Sequence, residues 1–566
     1  MEWSQPIRGT QFVTTYGPGS IIETIRGPRL IPVVENSGIF ADTSLHHYEI
    51  LEPALSQVLP ERGRIFRLPS NADKELEDSR WIYDTLPFPH WSLCPRHGIL
   101  YNLKWGSRKG CPTCPAESKE KAWEKAREQA VSFVLACARG HLSEVPWVFL
   151  LHLGQNSQCR PGYIHWRGAG GPLKGVRLSC PDCGTTKSLA DLYHQEHHCP
   201  GRFAERGRQA QPEPCPEAAR ISQRAASDLF IPKVLSALTL PRADSELHRA
   251  LSNDAVLMGL RFIFENQENP GEAEWARILG GHLPPAVKAL IERFPLPERN
   301  EAARTVLRQE SAETVQQARD DEFRMLRQAS REGLPRSDNF QMDARSTSVF
   351  PLGNNSLRVT PVSRLRMVLA QIGYQRLGGQ TVDTALVRGG THWYHGVELY
   401  GEGLFLELEG ELQGHDSPAW QRWSDRYSDS GLTSDHPAMV WWHTLSHRLI
   451  RALAVDSGYS AASVRERLYL EGGRGGVLLY AVQPGGDGTL GGLIALVRRF
   501  DRVLNGALRH LDACSNDPLC ADQLAGPGRM NGAACYACSL LSETACEMRN
   551  HSLDRHILIE TIGGSR

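Results

Sequence analysis

Apolar and polar residues alternate along Gly403-Leu-Phe-Leu-Glu-Leu-Glu409, the two-residue period of a half-buried strand. Gly476-Val-Leu-Leu-Tyr-Ala-Val482 is an apolar run of strand length, closed by the turn residues Pro484-Gly485-Gly486-Asp487-Gly488. Gln11 to Ile22 reads as two short strands around a Gly17-Pro18-Gly19 turn, where glycine supplies backbone angles closed to other residues. Helices are predicted over Pro361 to Gly373, His443 to Leu453 and Leu493 to Leu511. Glu298 to Gly333 is rich in Ala, Arg, Glu and Gln and reads as a solvated helical spacer. Ala116 to Ala130 alternates Lys with Glu, as a short exposed helix does. No internal repeat is long enough for a solenoid.

These patterns predict an α+β multidomain chain. Residues 1–90 form a mixed β region, 91–220 hold small zinc-ribbon-like modules, 221–345 are mainly helical, and 346–566 form a C-terminal α/β domain ending in a cysteine zinc module. The length of 566 residues exceeds what one hydrophobic core supports. With 41% hydrophobic and 22% charged residues, the composition is that of soluble globular protein. A net charge of −1 excludes a polycation, so any nucleic-acid surface must be local. Met1 to Phe12 lacks the apolar stretch of a secretory signal. No apolar run approaches the roughly 20 residues of a membrane helix. The expectation is a soluble, cytoplasmic protein without membrane association.

The 14 cysteines change the picture. Nine lie between 94 and 215 and five between 514 and 546. In a long chain without an export signal, such grouping means metal more often than disulfides. Zinc takes four tetrahedral thiolate or imidazole ligands, and a pair two residues apart supplies half the shell from one tight knuckle. Cys94-x2-His97 with Cys111-x2-Cys114 is the first candidate. Cys180-x2-Cys183 with Cys199 and Cys215 is the second, and His194, His197 or His198 offers a substitute for one thiol. The third draws on Cys514, Cys520, Cys535, Cys538 and Cys546, five thiols for four places, with Cys514 favoured over Cys520. Cys137-x3-His141 with His152 and Cys159 is a weaker fourth set, for which a buried thiol and a hydrogen-bonded turn histidine are the simpler account. Two or three structural zinc ions are expected. Sets closed by four protein ligands leave no position for a reacting water.

Motifs of catalysis are missing from the sequence. It contains no Gly-x4-Gly-Lys-[Ser/Thr] loop, no His-Glu-x2-His pair, no Gly-x-Ser-x-Gly elbow and no His-x-Lys pair. The glycines of Gly472-Gly-Arg-Gly-Gly476 read as a strand-entry loop. His443 and His447 share a helical face and could pair with a carboxylate such as Glu402, but a structural role is preferred. No catalytic residue and no organic cofactor are assigned. Between Cys159 and Arg224, ten Lys or Arg stand against six Asp or Glu. Arg202, Arg206 and Arg208 cluster beside Phe203, which makes these four the candidate DNA contacts, with Phe203 stacking on a base.

Several stretches carry a resemblance. Leu511-Asp-Ala-Cys-Ser-Asn-Asp-Pro-Leu-Cys520, Asn531-Gly-Ala-Ala-Cys-Tyr-Ala-Cys538, Glu543-Thr-Ala-Cys-Glu547 and Leu553-Asp-Arg555 resemble the C-terminal cysteine domain of the DrmB family of the DISARM anti-phage system. A similar four-cysteine domain ends helicases of the mitomycin-repair type. Thr14 to Gly19, Cys137 to Leu142 with Pro146-Trp147, Gln223 to Ser227 with Phe230 to Pro232, Arg364 to Arg366, Gly401 to Phe405 and Gly488 to Gly492 also look like that family. The resemblance implies a non-motor subunit. It would form a core complex with a DrmA-like helicase ATPase, engage phage DNA jointly with it, and bind zinc through the last cysteine group. Tyr536 departs from the polar or imidazole side chain usual at its position, and Cys520 leaves the ligand choice open.

Overall fold

The computed structural model describes residues 7–562 except 26, 38–44, 76–82, 103–109, 116–120, 122–124, 126–128, 155–158, 169–172, 241–245, 252–253, 265–266, 268, 281–282, 311–313, 334–336, 338, 413–415, 485–490 and 527. Most of the helix expected at 116–130 and the glycine turn at 485–488 lie outside the described residues. The chain groups into two compact units. One is built from 1–50, 63–235 and 369–397, the other from 51–62, 236–368 and 398–566. Both mix strands with helices.

The first unit contains a five-stranded antiparallel meander, Trp91–Cys94, Ile99–Asn102, Tyr163–Arg167, Arg177–Ser179 and Thr186–Ser188, in chain order across the sheet. A second sheet places Ala218–Gln223 between His197–His198 and Phe133–Cys137, with Leu142–Ser143 at the edge. Phe133–Cys137 is buried at every position. A strand covered on both faces reads as a continuous apolar run. Leu135, Trp147, Leu151, Ile164, Leu178 and Ile221 form one core there. Gly9–Thr14 is a helix, not the first of two strands. Phe12 and Val13 are its buried residues, and two adjacent apolar positions do not separate a helix from a strand. At the following turn Gly19 has φ +95°, and a Cβ there would meet the Tyr374 ring at 2.8 Å. Beneath the turn Arg376, fully buried, donates to the Gly19 carbonyl (2.6 Å) and pairs with Glu205 (3.1 Å). A guanidinium buried so deeply has to be matched in charge, and Glu205 supplies the match, although Nε stays without a hydrogen-bond partner.

In the second unit five short helices between Glu246 and Glu310 pack around Leu251, Leu260, Trp275, Ile291 and Val306. Strands occupy 231–238, so the helical run begins at Glu246. Helix Val315–Glu332 is not a solvated spacer. It opens with a capping box between Thr314 and Gln317 and buries Glu322, Phe323, Leu326 and Ala329. Phe323 stacks on Tyr469 of strand Val464–Glu471, with centroids 5.2 Å apart and planes 6° apart. That strand pairs with Arg474–Pro484 through a two-residue turn, Gly472 and Gly473, at φ +54° and +80°. Positive φ at both turn residues matches the twist of the hairpin and explains the glycine pair. Helix Pro437–Ser457 runs through the main core with Trp423, Trp441, Trp442, Leu445, Leu449 and Phe500.

Pro361 to Gly373 is not a helix; it lies inside the strand Asn355–Gln375. Its Leu, Met, Ala, Arg and Gln favour helices locally, but antiparallel pairing with Phe340–Met342 at one end and Thr381–Asp383 at the other overrides them. Thr391–Leu408 is buried at every position from 401 to 408, beyond the half-burial its alternation predicts. Among the described residues no helix is long and apolar enough to cross a membrane.

Candidate metal centres

In the first group a strand ends, the chain doubles back, and the ligands sit at the bend. Cys94 ends strand Trp91–Cys94, and His97 lies in the turn to Ile99–Asn102. The Gly98 amide donates to the Cys94 carbonyl (2.9 Å), with Gly98 at φ +59°. A Cβ on Gly98 would lie 2.5 Å from the Trp166 carbonyl oxygen. Cys94, Cys111 and Cys114 place their sulfurs 3.6, 3.6 and 3.4 Å from His97 Nδ1, and Cys94 and Cys114 are 3.9 Å apart.

These separations test the fit of an ion. Zinc–sulfur bonds of about 2.3 Å and zinc–nitrogen bonds of about 2.05 Å give tetrahedral edges of about 3.8 Å (S–S) and about 3.6 Å (S–N). A disulfide needs about 2.05 Å, and every cysteine is a free thiol. The first set matches the zinc tetrahedron.

The second expected set does not assemble as grouped. Cys180 and Cys183 meet His152 and Cys159, while Cys199 and Cys215 meet Cys137 and His141. The two sets are nested along the chain. Strand Phe133–Cys137 delivers Cys137, and its pairing Cys137↔Ala219, followed by His197↔Ala219, draws Cys199 and Cys215 to the same end. His141 Nδ1 lies 3.4 Å from Cys137 Sγ and 3.5 Å from Cys199 Sγ, and Cys137 lies 4.0 Å from Cys215. Helix Trp147–His152 ends on the ligand of the inner set. His152 Nδ1 is held by the Val148 carbonyl (2.7 Å), which leaves Nε2 facing Cys183 Sγ at 3.3 Å. Cys159 and Cys180 are 3.4 Å apart. So Cys137, His141, His152 and Cys159 do not form one weak fourth set; they divide between two sets of four. His194, His197 and His198 substitute for no thiol, and His197 Nε2 donates to the Leu192 carbonyl (2.7 Å).

In the C-terminal group Cys514, Cys520, Cys535 and Cys538 converge, so both Cys514 and Cys520 belong. Cys514–Cys535, Cys520–Cys538 and Cys535–Cys538 are 3.4, 3.7 and 3.8 Å apart. Helix Pro437–Ser457 grips the cysteine loop from below. Arg448 donates to the carbonyls of Cys538 (2.9 Å), Ala507 (2.8 Å) and Arg509 (2.7 Å), and Arg451 to that of Ala537 (2.9 Å). The fifth thiol, Cys546, lies instead against His443, 3.1 Å from Nε2. Glu402 is not its partner or that of the histidines; it accepts from Tyr459 (3.2 Å) and from the Leu493 amide (2.8 Å). Sequence reasoning missed Glu466, which faces both histidines. Nothing in its neighbourhood along the chain marks it.

The crowding of the sulfurs shows in the thiol electrostatics. Burial, then the neighbouring Cys137, pushes the Cys199 thiol up to about 12. The Cys180 sulfur, with burial, pushes Cys159 up to about 12. Cys183 is drawn down to about 6, first by the Thr185 hydroxyl. Three or four sulfurs this close cannot all ionise unless a cation sits among them. The four sets fit structural zinc, with four protein ligands each and no vacancy for substrate.

The candidate DNA contacts look different in place. Phe203 is 9% exposed. Its ring meets His141 (4.5 Å) on one side and the Arg206 guanidinium (4.0 Å) on another, so it offers no face to a base. Arg206 also pairs with Glu213. Arg208 lies 3.0 Å from His90 Nε2. Arg202 and Arg208 border a cavity of about 1060 Å³ whose walls include Leu86, Phe88, Leu142 and Phe149.

Residues 8–231, which hold the first three sets, match a domain of unknown function, DUF8724. Residues 445–539, which hold the last set, match the MrfA Zn-binding domain. The chain is 25% identical over 545 residues to the DISARM protein DrmB of Bacillus paralicheniformis, covering 88% of this chain and 91% of that one. A crystal structure of the DUF1998 helicase MrfA bound to DNA aligns at 12% identity over 31% of this chain and 21% of the helicase, with a TM-score of 0.17. The chain is thus similar to the DISARM protein DrmB over 88% of its length, and its residues 445–539 to the MrfA Zn-binding domain.

Proposed function

We propose that this chain is a non-motor subunit of a DISARM-type anti-phage system, a zinc-folded partner of a DrmA-like helicase ATPase that helps it engage phage DNA. The observation that carries this is the similarity to the DISARM protein DrmB over 88% of the chain. Two features support it. The sequence lacks a phosphate-binding loop of its own. The four cysteine-rich sets are closed, which suits modules that hold a shape for docking and do not turn over a substrate.

A second reading, a scaffold that clamps the helicase without touching DNA, is favoured by one site. The arginines at 202 and 208 border an apolar-walled cavity, and Phe203 is already covered on both sides. Such a cavity receives an apolar side chain more readily than a phosphate.

Co-purification with the neighbouring helicase tests the shared reading, and a chain that never associates with it overturns both. DNA affinity of the isolated chain and of the complex, at two salt concentrations, separates the two. Phosphate contacts make affinity fall steeply with salt. A complex that binds DNA no better, and with no steeper salt dependence, than the helicase alone leaves only the scaffold.

A further inference from the structure

We infer that His443, His447, Glu466 and Cys546 form a further, fully enclosed site for a divalent zinc-class ion. All four are buried, and their ligand atoms lie within 4.8 Å of one another. His443 Nε2 is 3.1 Å from Cys546 Sγ and 3.1 Å from Glu466 Oε1, and His447 Nε2 is 3.3 Å from the same oxygen. Around a zinc ion the nitrogen–oxygen edge is about 3.4 Å and the nitrogen–sulfur edge about 3.6 Å.

Hydrogen-bond accounting favours a cation there. His443 Nδ1 faces the Ser552 carbonyl (3.3 Å) and His447 Nδ1 faces the Ser539 carbonyl (2.8 Å). Carbonyl oxygens only accept, so each Nδ1 carries the proton. In the neutral ring Nε2 is then a bare lone pair. Both lone pairs are aimed at a carboxylate and a sulfur that are themselves electron-rich. Glu466 is an acceptor already: Ser446 Oγ donates to Oε2 and the Glu547 amide to Oε1 (3.2 Å). Cys546 Sγ accepts from the Asn550 amide (3.1 Å). Two imidazole lone pairs, a carboxylate and a sulfur face one another in a space closed to water, with at most the weak S–H of Cys546 between them.

One divalent ion resolves the conflict. Its two charges cancel those of a carboxylate and a thiolate, and both imidazoles stay neutral. Each ring is held by a carbonyl on its far nitrogen, the arrangement that orients histidine ligands on metals. The ion-free alternative rests on the weak S–H of Cys546 toward one ring and an imidazolium of the other against Glu466, charges buried in the core.

The ligands come from helix Pro437–Ser457, strand Val464–Glu471 and the loop after the last four-cysteine set. His443 and Cys546 lie on either side of the segment that matches the MrfA Zn-binding domain. The ion would pin the loop from 539 to 552 onto the helix that also carries Arg448 and Arg451. With four protein ligands and no exposure, its role is structural.

Anomalous X-ray scattering from crystals of the full-length wild-type chain, recorded on both sides of the zinc edge, tests this. A zinc peak is expected among the four side chains, separate from the peak among Cys514, Cys520, Cys535 and Cys538. No peak there, in crystals that show the four-cysteine peak, overturns the inference. Zinc counted by native mass spectrometry adds a second check. Cys546→Ala should carry one ion fewer than wild type, and a folded Cys546→Ala chain with an unchanged count also overturns it. If that variant fails to fold, the wild-type anomalous map decides alone.

Discussion

Single residues decide whether these modules close. Cys535 and Cys538 supply two of four sulfurs from one knuckle, and the other pair comes from 514 and 520. Cys535→Ala or Cys538→Ala should lose one zinc and unfold the C-terminal module, because metal binding and local folding are one equilibrium. Zinc content with thermal melting measures this, and unchanged values would remove both residues from the ligand set. Gly201 is as demanding without touching an ion. It sits at φ +64°, and a Cβ would lie 1.7 Å from the Glu213 carbonyl oxygen. Its amide also donates to Cys199 Sγ (3.4 Å). Gly201→Ala should cost more than the roughly 1–2 kcal/mol of the left-handed backbone alone, since the clash is with main chain. A drop in melting temperature with loss of one zinc is the expected outcome.

At the scale of elements, the pairings between helix and strand matter most. Helix Val315–Glu332 meets strand Val464–Glu471 through a buried ion pair, Arg467 Nη2 to Glu322 Oε2 at 2.6 Å. Burial alone would push the Glu322 carboxyl up. The adjacent Arg467 guanidinium outweighs it and holds the group below its ordinary 4.5. A carboxylate lowered in the folded state contributes stability that is fully present above its unfolded value. That contribution is lost as pH falls through the folded value. Glu322→Gln leaves buried Arg467 with only the more distant Glu547 (3.9 Å) as countercharge and should cost up to about 3–5 kcal/mol at neutral pH. Its deficit against wild type should shrink below about pH 4.5. Denaturant unfolding at several pH values reads both effects, and a pH-independent deficit would assign the loss to packing. At this scale the sequence misleads in a specific way. Asn355–Gln375 is a strand although its composition suits a helix, because a run buried on both faces shows no amphipathic period to separate the two.

For the whole molecule, three cysteine-rich sets belong to one compact unit and the fourth to the other. Chelation of zinc should therefore lower the stability of both, and melting should become multiphasic, as independent units lose their ions at different affinities. Calorimetry before and after chelation, with zinc restored in a third run, checks it. A melting profile unmoved by full zinc removal would refute a structural role for the ions. What the sequence by itself determined was the knuckles: Cys94 with His97, Cys111 with Cys114, Cys180 with Cys183 and Cys535 with Cys538 are set by spacing, because two ligands on one tight bend need no other part of the chain. The glycines that permit those bends are legible for the same local reason. Only the tertiary structure decided which half-sites share an ion. Cys199 and Cys215 reach Cys137 through sheet register, His152 reaches Cys183 from a helix end, and Glu466 reaches His443 across the core. A four-ligand shell is completed by whatever the fold brings within about 4 Å, and distance along the chain carries no record of that.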